Sequence, residues 1–135
     1  MEEVHRPDLL GFSGSALLLL ISITALVGCS GRTVRNFHVS CKNSGDMDIT
    51  ELCFSFDDFE SIPMLICAGT SKTHLRLGDD FPIPEDVTLS WQSSDGKSHL
   101  DAVDLRGLFT GLDGVVTIVF SVDSENQLTT SVVPD

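Results

Sequence analysis

The feature that most constrains this chain is a two-residue alternation of apolar and polar side chains that runs from Phe37 almost to the end. In Phe37-His-Val-Ser-Cys41 the apolar positions are odd. In Leu52-Cys-Phe-Ser-Phe56 they are even, and in Val87-Thr-Leu-Ser-Trp91 odd again. Val115 to Val122 is rich in β-branched residues, and Gln127 to Val133 alternates loosely. A strand sends successive side chains to opposite faces, so each run reads as a strand with one buried face. No window of a dozen residues repeats at the 3.6 spacing of a helix.

Turn residues separate the runs. Asn43-Ser-Gly-Asp46 follows the first, and Asp57-Asp-Phe-Glu-Ser61 divides the second from Ile62 to Ala68. Asp95-Gly96 predicts a hairpin with a type I′ turn, because such a turn needs positive φ at both central residues. Asp113-Gly114 opens the Val115 run, and Asp123-Ser-Glu-Asn126 joins the last two strands. Phe81-Pro-Ile-Pro84 is confined to an edge or a crossing, since each proline removes a ladder donor. Seven or eight short strands in about 100 residues predict an all-β fold, an immunoglobulin-like antiparallel β-sandwich over residues 37–135, with a small barrel as the alternative.

The chain begins differently. Ala16 to Val27 is an uncharged apolar run of signal-core length, short of the roughly 20 residues that span a bilayer. It ends in Leu26-Val27-Gly28-Cys29. These four residues resemble the lipobox of bacterial lipoprotein precursors. The resemblance implies a signal helix and signal peptide over residues 1–28, cleavage between Gly28 and Cys29, and lipid attachment at Cys29, followed by a tether over residues 29–36. The thiol takes a diacylglyceryl group and the freed amine a further acyl chain such as palmitate, and two or three chains hold a membrane far better than one. The expected location is the cell membrane or the outer membrane, with the domain outside the cytoplasm. Met1-Glu-Glu-Val-His-Arg-Pro-Asp8 departs from the pattern with one Arg against three acids, where signals start positive. An uncut anchor over Leu9 to Gly28 is the alternative it leaves. The later segments Asn43-Ser-Gly45, Ser71-Lys-Thr-His74, Asp95-Gly96 and Val103-Asp-Leu-Arg-Gly107 resemble small β-sandwich modules of uncharacterised exported lipoproteins, a likeness that implies no activity.

With Cys29 lipidated, Cys41, Cys53 and Cys67 remain, which allows one internal disulfide. Pairing residues 52–56 against 64–68 so that partner numbers sum to 120 sets Leu52 against Ala68, Phe54 against Ile66 and Phe56 against Met64. The same register brings Cys53 opposite Cys67 and predicts a bond between them, leaving Cys41 a buried free thiol.

Residues 29–135 hold seven Lys and Arg against seventeen Asp and Glu, a formal charge of −10. Such a surface repels phosphates, so no nucleic acid is expected as a partner. For copper or zinc, His38, His74 and His99 accompany the cysteines, but no C-x-x-C or H-x-x-x-H sets a spacing. For calcium there are acidic loops at Asp46 and Asp48, at Asp57, Asp58 and Glu60, and at Asp79 and Asp80, none with the EF-hand pattern. No Gly-x-Ser-x-Gly elbow marks a hydrolase, and no Gly-rich loop leads into a helix. Trp91 shares the parity of Val87 and Leu89 and reads as core. The expectation is therefore a non-enzymatic protein with no catalytic residues, no assigned metal ligand and no cofactor. It meets a membrane through Cys29 and a protein partner at the envelope through an exposed strand edge. An envelope metal-binding protein is the alternative.

Overall fold

The computed structural model describes residues 33–135. The signal helix, the Gly28–Cys29 cleavage point and Cys29 itself lie outside the described residues. Among the described residues nine strands are formed: β1 (Val34–Asn43), β2 (Ile49–Phe56), β3 (Phe59–Glu60), β4 (Met64–Ile66), β5 (Ser71–His74), β6 (Asp86–Gln92), β7 (Ser98–Asp104), β8 (Gly114–Val122) and β9 (Leu128–Pro134). A 3-10 turn, Leu77–Asp79, follows β5. Because β1 starts at Val34, the last three residues assigned to the tether belong to the first strand.

The strands make two sheets. The first has the order β5-β1-β8-β9, and the second has β3-β2-β6-β7 with β4 also on β2. Each sheet buries the row that the alternation marked. Phe37, Val39 and Cys41 of β1 meet Val116, Ile118, Phe120 and Val122 of β8 from one side. Leu52, Phe54 and Phe56 of β2 and Val87, Leu89 and Trp91 of β6 fill the other. At about 1.5–3 kcal/mol for each large side chain withdrawn from water, these rows supply the main drive to fold. At one end five phenylalanines close the core: Phe59 stacks on Phe56 at 5.2 Å and meets Phe81 at 5.1 Å, while Phe37 and Phe54 complete the group.

The sandwich is not wholly antiparallel. β1 runs parallel to β8 over nine registered pairs, from Val34↔Gly114 to Asn43↔Val122. Parallel neighbours need a long crossover, and here β2 to β7, the whole second sheet together with β5, form it. Strand pattern shows which face is buried but not which neighbour a central strand takes, so this pairing is invisible in the sequence.

The β6–β7 hairpin forms where Asp95-Gly96 marked it but differs in turn type. β6 and β7 join through Ser94, Asp95 and Gly96, with the Ser93 N–H donating to the Lys97 carbonyl at 2.9 Å and only Gly96 at positive φ, +83°. This is a three-residue loop closed by a left-handed residue rather than a type I′ turn. β8 and β9 repeat it, with Asn126 at φ +59° and the Asp123 N–H on the Gln127 carbonyl at 3.1 Å.

The register predicted for residues 52–56 against 64–68 is not formed. β2 turns tightly at Asp57-Asp58, so that Phe56 pairs with Phe59 and Ser55 with Glu60. Ser61 then satisfies Phe54 twice, its N–H on the Phe54 carbonyl and its hydroxyl accepting the Phe54 N–H. β4 is displaced to Leu52↔Met64 and Ile49↔Ile66, past an irregularity that holds Glu51 at φ +54°. Cys67 consequently sits beyond the start of β2, several residues along from Cys53. At about 3.3 Å per residue that exceeds the Cα separation a disulfide tolerates. Cys41, Cys53 and Cys67 are free thiols, and Cys41 is buried as expected.

Candidate functional site

The two outer faces differ in charge. On the second sheet the outward rows carry Glu60, Asp86 and Asp104. On the first sheet, β8 points Val115, Thr117, Val119 and Ser121 outward, and β9 adds Thr129, Ser131 and Val133. β1 and β5 add His38, Ser40, Lys42, Ser71 and Thr73. No outward position of the first sheet between Asn36 and Val133 is Asp or Glu. Hydroxyls pair across it, Thr73 with Ser40 and Ser121 with Ser44, each at 3.2 Å. An acidic protein thus keeps one face free of acids.

That face ends at β9, an edge strand. The Asp123–Gln127 and Val115–Asp135 hydrogen bonds set its phase. Hydrogen-bonded pairs alternate along an antiparallel ladder, so Thr129, Ser131 and Val133 direct their backbone groups to β8. Leu128, Thr130 and Val132 direct theirs to the free side, where no strand among the described residues pairs with β9. Pro134 falls in the same outward phase, where its missing N–H costs the ladder nothing. No residue from Gln127 to Pro134 is charged. The opposite edge of the second sheet, β7, is defended: Asp101 occupies an inward-row position, opposite Leu89, and Asp104 lies at the end. Charges on an edge, inward-pointing ones included, block pairing with other chains. β9 lacks that protection.

Beside this face His38 points out of the core, as its parity requires, yet is only 9% exposed. Its Nδ1 accepts the Arg76 N–H at 2.7 Å, and its Nε2 lies 3.7 Å from the Asp135 carboxylate. An accepting Nδ1 puts the proton of the neutral ring on Nε2. Asn36, Leu75, Arg76, Val115 and Asp135 complete a cleft of about 360 Å³ around it. Arg76, at φ +56°, is itself bound to Asp79, which also takes the Asn36 amide at 2.8 Å.

Apart from His38, the residues weighed for chemistry fall elsewhere. The three histidines among the described residues are dispersed: His38 under Arg76, His74 edge-on to Phe54 at 5.0 Å, and His99 stacked on Trp91 at 5.3 Å. Burial pulls the His74 imidazole below its usual value, and its Nδ1 has no partner. Among the described residues no three His, Cys, Asp or Glu are grouped to hold a metal ion. Two of the loop acids hold backbone N–H groups. Asp48 accepts the Ala68 N–H, and Asp123 accepts those of Glu125 and Gln127. Asp57 and Asp58 form the β2–β3 turn.

One grouping looks catalytic in inventory. The Ser93 hydroxyl touches both the Asp95 carboxylate and His99 Nε2, the latter at 3.1 Å. The order is wrong for a triad, in which the acid orients the histidine and the histidine takes the serine proton. Here the acid holds the serine, and Asp95 also accepts the Lys97 N–H at 3.1 Å. The group stabilises the β6–β7 loop, and those bonds hold the Asp95 carboxyl below the usual range.

Fold and surface together define an all-β, two-sheet sandwich with one face free of acids and an uncharged edge strand, β9. No protein-family profile matches the chain, and no curated protein matches it. It is similar to a solved structure described as the NMR structure of a protein from Eubacterium rectale. The two share 11% identity with a TM-score of 0.49, over 75% of this chain and 90% of that one.

Proposed function

We propose that the chain is a lipid-anchored, non-enzymatic binding module of the cell envelope that engages an extended polypeptide along β9. The observation that carries the binding half is the open backbone of Leu128, Thr130 and Val132 in a stretch without charge. Strand addition draws its affinity from such main-chain groups and its selectivity from alternate side-chain positions. The anchoring half rests on Leu26-Val27-Gly28-Cys29 at the end of the apolar run. The short stretch from Cys29 to the start of β1 at Val34 holds the domain within about 17 Å of the lipid. Its acidity keeps the remaining surface off anionic headgroups. The sandwich is read as immunoglobulin-like in kind, with a buried Trp on a central strand and the parallel β1–β8 pair as its departure.

Mass spectrometry of the membrane-extracted protein tests the anchor. The expected product starts at Cys29 and carries diacylglyceryl mass; an intact Met1 with an unmodified Cys29 thiol overturns it. Amide exchange tests the edge. An extended peptide that binds there slows exchange at Leu128, Thr130 and Val132 and leaves β7 unchanged; protection along β7 instead would move the site.

A further inference from the structure

Resting on the edge reading, we propose that the occupant of β9 is a second copy of β9, paired antiparallel across a two-fold axis at Thr130. The phase of the ladder makes the strand self-complementary. In this register Thr130 pairs with its own copy and Leu128 with the copy's Val132. All three are residues whose N–H and C=O face outward, so every open donor finds an acceptor. The side chains agree. Leu128 lies opposite Val132 on the inward row, with Thr130 opposite Thr130, and Thr129 lies opposite Ser131 on the outer row. Apolar and hydroxyl pairs of this kind favour a sheet, and like charges directly opposite oppose it.

Charge leaves this edge open to a second copy. The chain has a formal charge of −12, so two copies repel over most of their surfaces. Within Gln127–Pro134 this register sets no acid against another acid, and Glu125 comes opposite the copy's Asp135 only beyond the strand ends. Self-pairing of β7 would bring in Asp101 and Asp104, and β5 has only four residues. The union forms one eight-stranded sheet whose outer face continues the Ser, Thr and Val rows of both copies, an isologous contact that closes on itself.

Amide exchange on the full chain in detergent micelles tests this. Protection at Leu128, Thr130 and Val132 should rise with protein concentration, and rise further with salt as repulsion is screened. Thr129, Ser131 and Val133 should stay protected throughout. In a Cys67→Ser background, Thr130→Cys should cross-link to its copy on mild oxidation, because hydrogen-bonded antiparallel partners lie about 5.5 Å apart at Cα. Thr130→Pro removes the outward donor but no bond to β8, and should abolish the concentration dependence while circular dichroism stays unchanged. Concentration-independent exchange at all three amides with no Thr130→Cys cross-link overturns the dimer. A synthetic peptide of residues 127–134 separates the two readings: if it protects those amides while the chain itself does not associate, the edge binds strands but this partner is wrong.

Discussion

The indole Nε1 of Trp91 donates to the side-chain Oδ1 of Asn126 at 3.3 Å, tying β6 of one sheet to the β8–β9 turn of the other. Trp91 is 2% exposed, so its N–H has no water to fall back on. Asn126 does two things at once: it accepts this bond and occupies the left-handed position at φ +59° that closes the turn. Asn tolerates that region better than other residues with a Cβ.

These two roles separate by substitution. Asn126→Ala should lose about 2 kcal/mol, combining left-handed strain with an orphaned indole N–H. Asn126→Gly should lose about 1 kcal/mol, since glycine accepts the conformation and forfeits only the bond. Urea unfolding followed by Trp91 fluorescence measures both, and a glycine variant less stable than the alanine variant would contradict this account.

Asn43 should be the costliest polar residue to replace. It is 1% exposed, and its side-chain amide donates to the carbonyls of Met47 at 2.7 Å and Ile66 at 3.0 Å. Its Oδ1 accepts the Gly45 N–H at 3.0 Å. Asn43→Ala strands all three backbone groups, for a loss of about 2–4 kcal/mol in chemical denaturation. A loss below about 0.5 kcal/mol, the range of ordinary surface changes, would mean the loop finds other partners.

The thiols should react in the order of their exposure. Cys67 is exposed and Cys41 buried, and burial pushes the Cys41 thiol up to about 12. At pH 8 a maleimide should label Cys67 quickly and Cys41 only after unfolding, read by peptide mapping. The unfolded chain loses the Cys41 proton near 9 while the folded chain keeps it to about 12. Stability therefore falls as pH rises through that interval, and Cys41→Ala should flatten that part of the slope.

Asp104 should titrate far below an ordinary carboxylate. Arg106 binds it through Nε at 3.0 Å, Nη2 at 2.9 Å and its own N–H at 2.9 Å, which lowers its pKa from 3.8 to about 2. A depressed folded value means the stabilisation is complete above about 4 and disappears as pH falls toward 2. Carbon-detected NMR titration should find the low midpoint, and Arg106→Gln should return it toward 3.8.

Much of the fold is legible in the sequence. The parity of Phe37, Phe54, Leu89 and Trp91 marks the inward rows of β1, β2 and β6, because a strand has only two faces and one of them must be buried. β5, with the pattern Ser71-Lys-Thr-His74, does not read as a strand, since it is an edge held by β1 backbone with three exposed side chains. The Asp95-Gly96 signal locates a hairpin but overstates the turn type, because one left-handed glycine serves a longer loop as well. Of the candidate surface, the missing charge from Gln127 to Pro134 is visible in sequence. That its open donors belong to Leu128, Thr130 and Val132 is not.

The sequence by itself determined the alternation, and with it the all-β class, the buried rows and the buried state of Cys41 and Trp91. It also placed Cys29 behind an apolar run. Tertiary structure alone decided which strands became neighbours: the parallel β1–β8 pair, the shifted β2–β4 register that keeps Cys53 from Cys67, and the open position of β9. The reason is physical. Side-chain period is a local property that hydrophobic burial reads directly, whereas strand order and register depend on contacts between residues tens of positions apart, which no local pattern encodes.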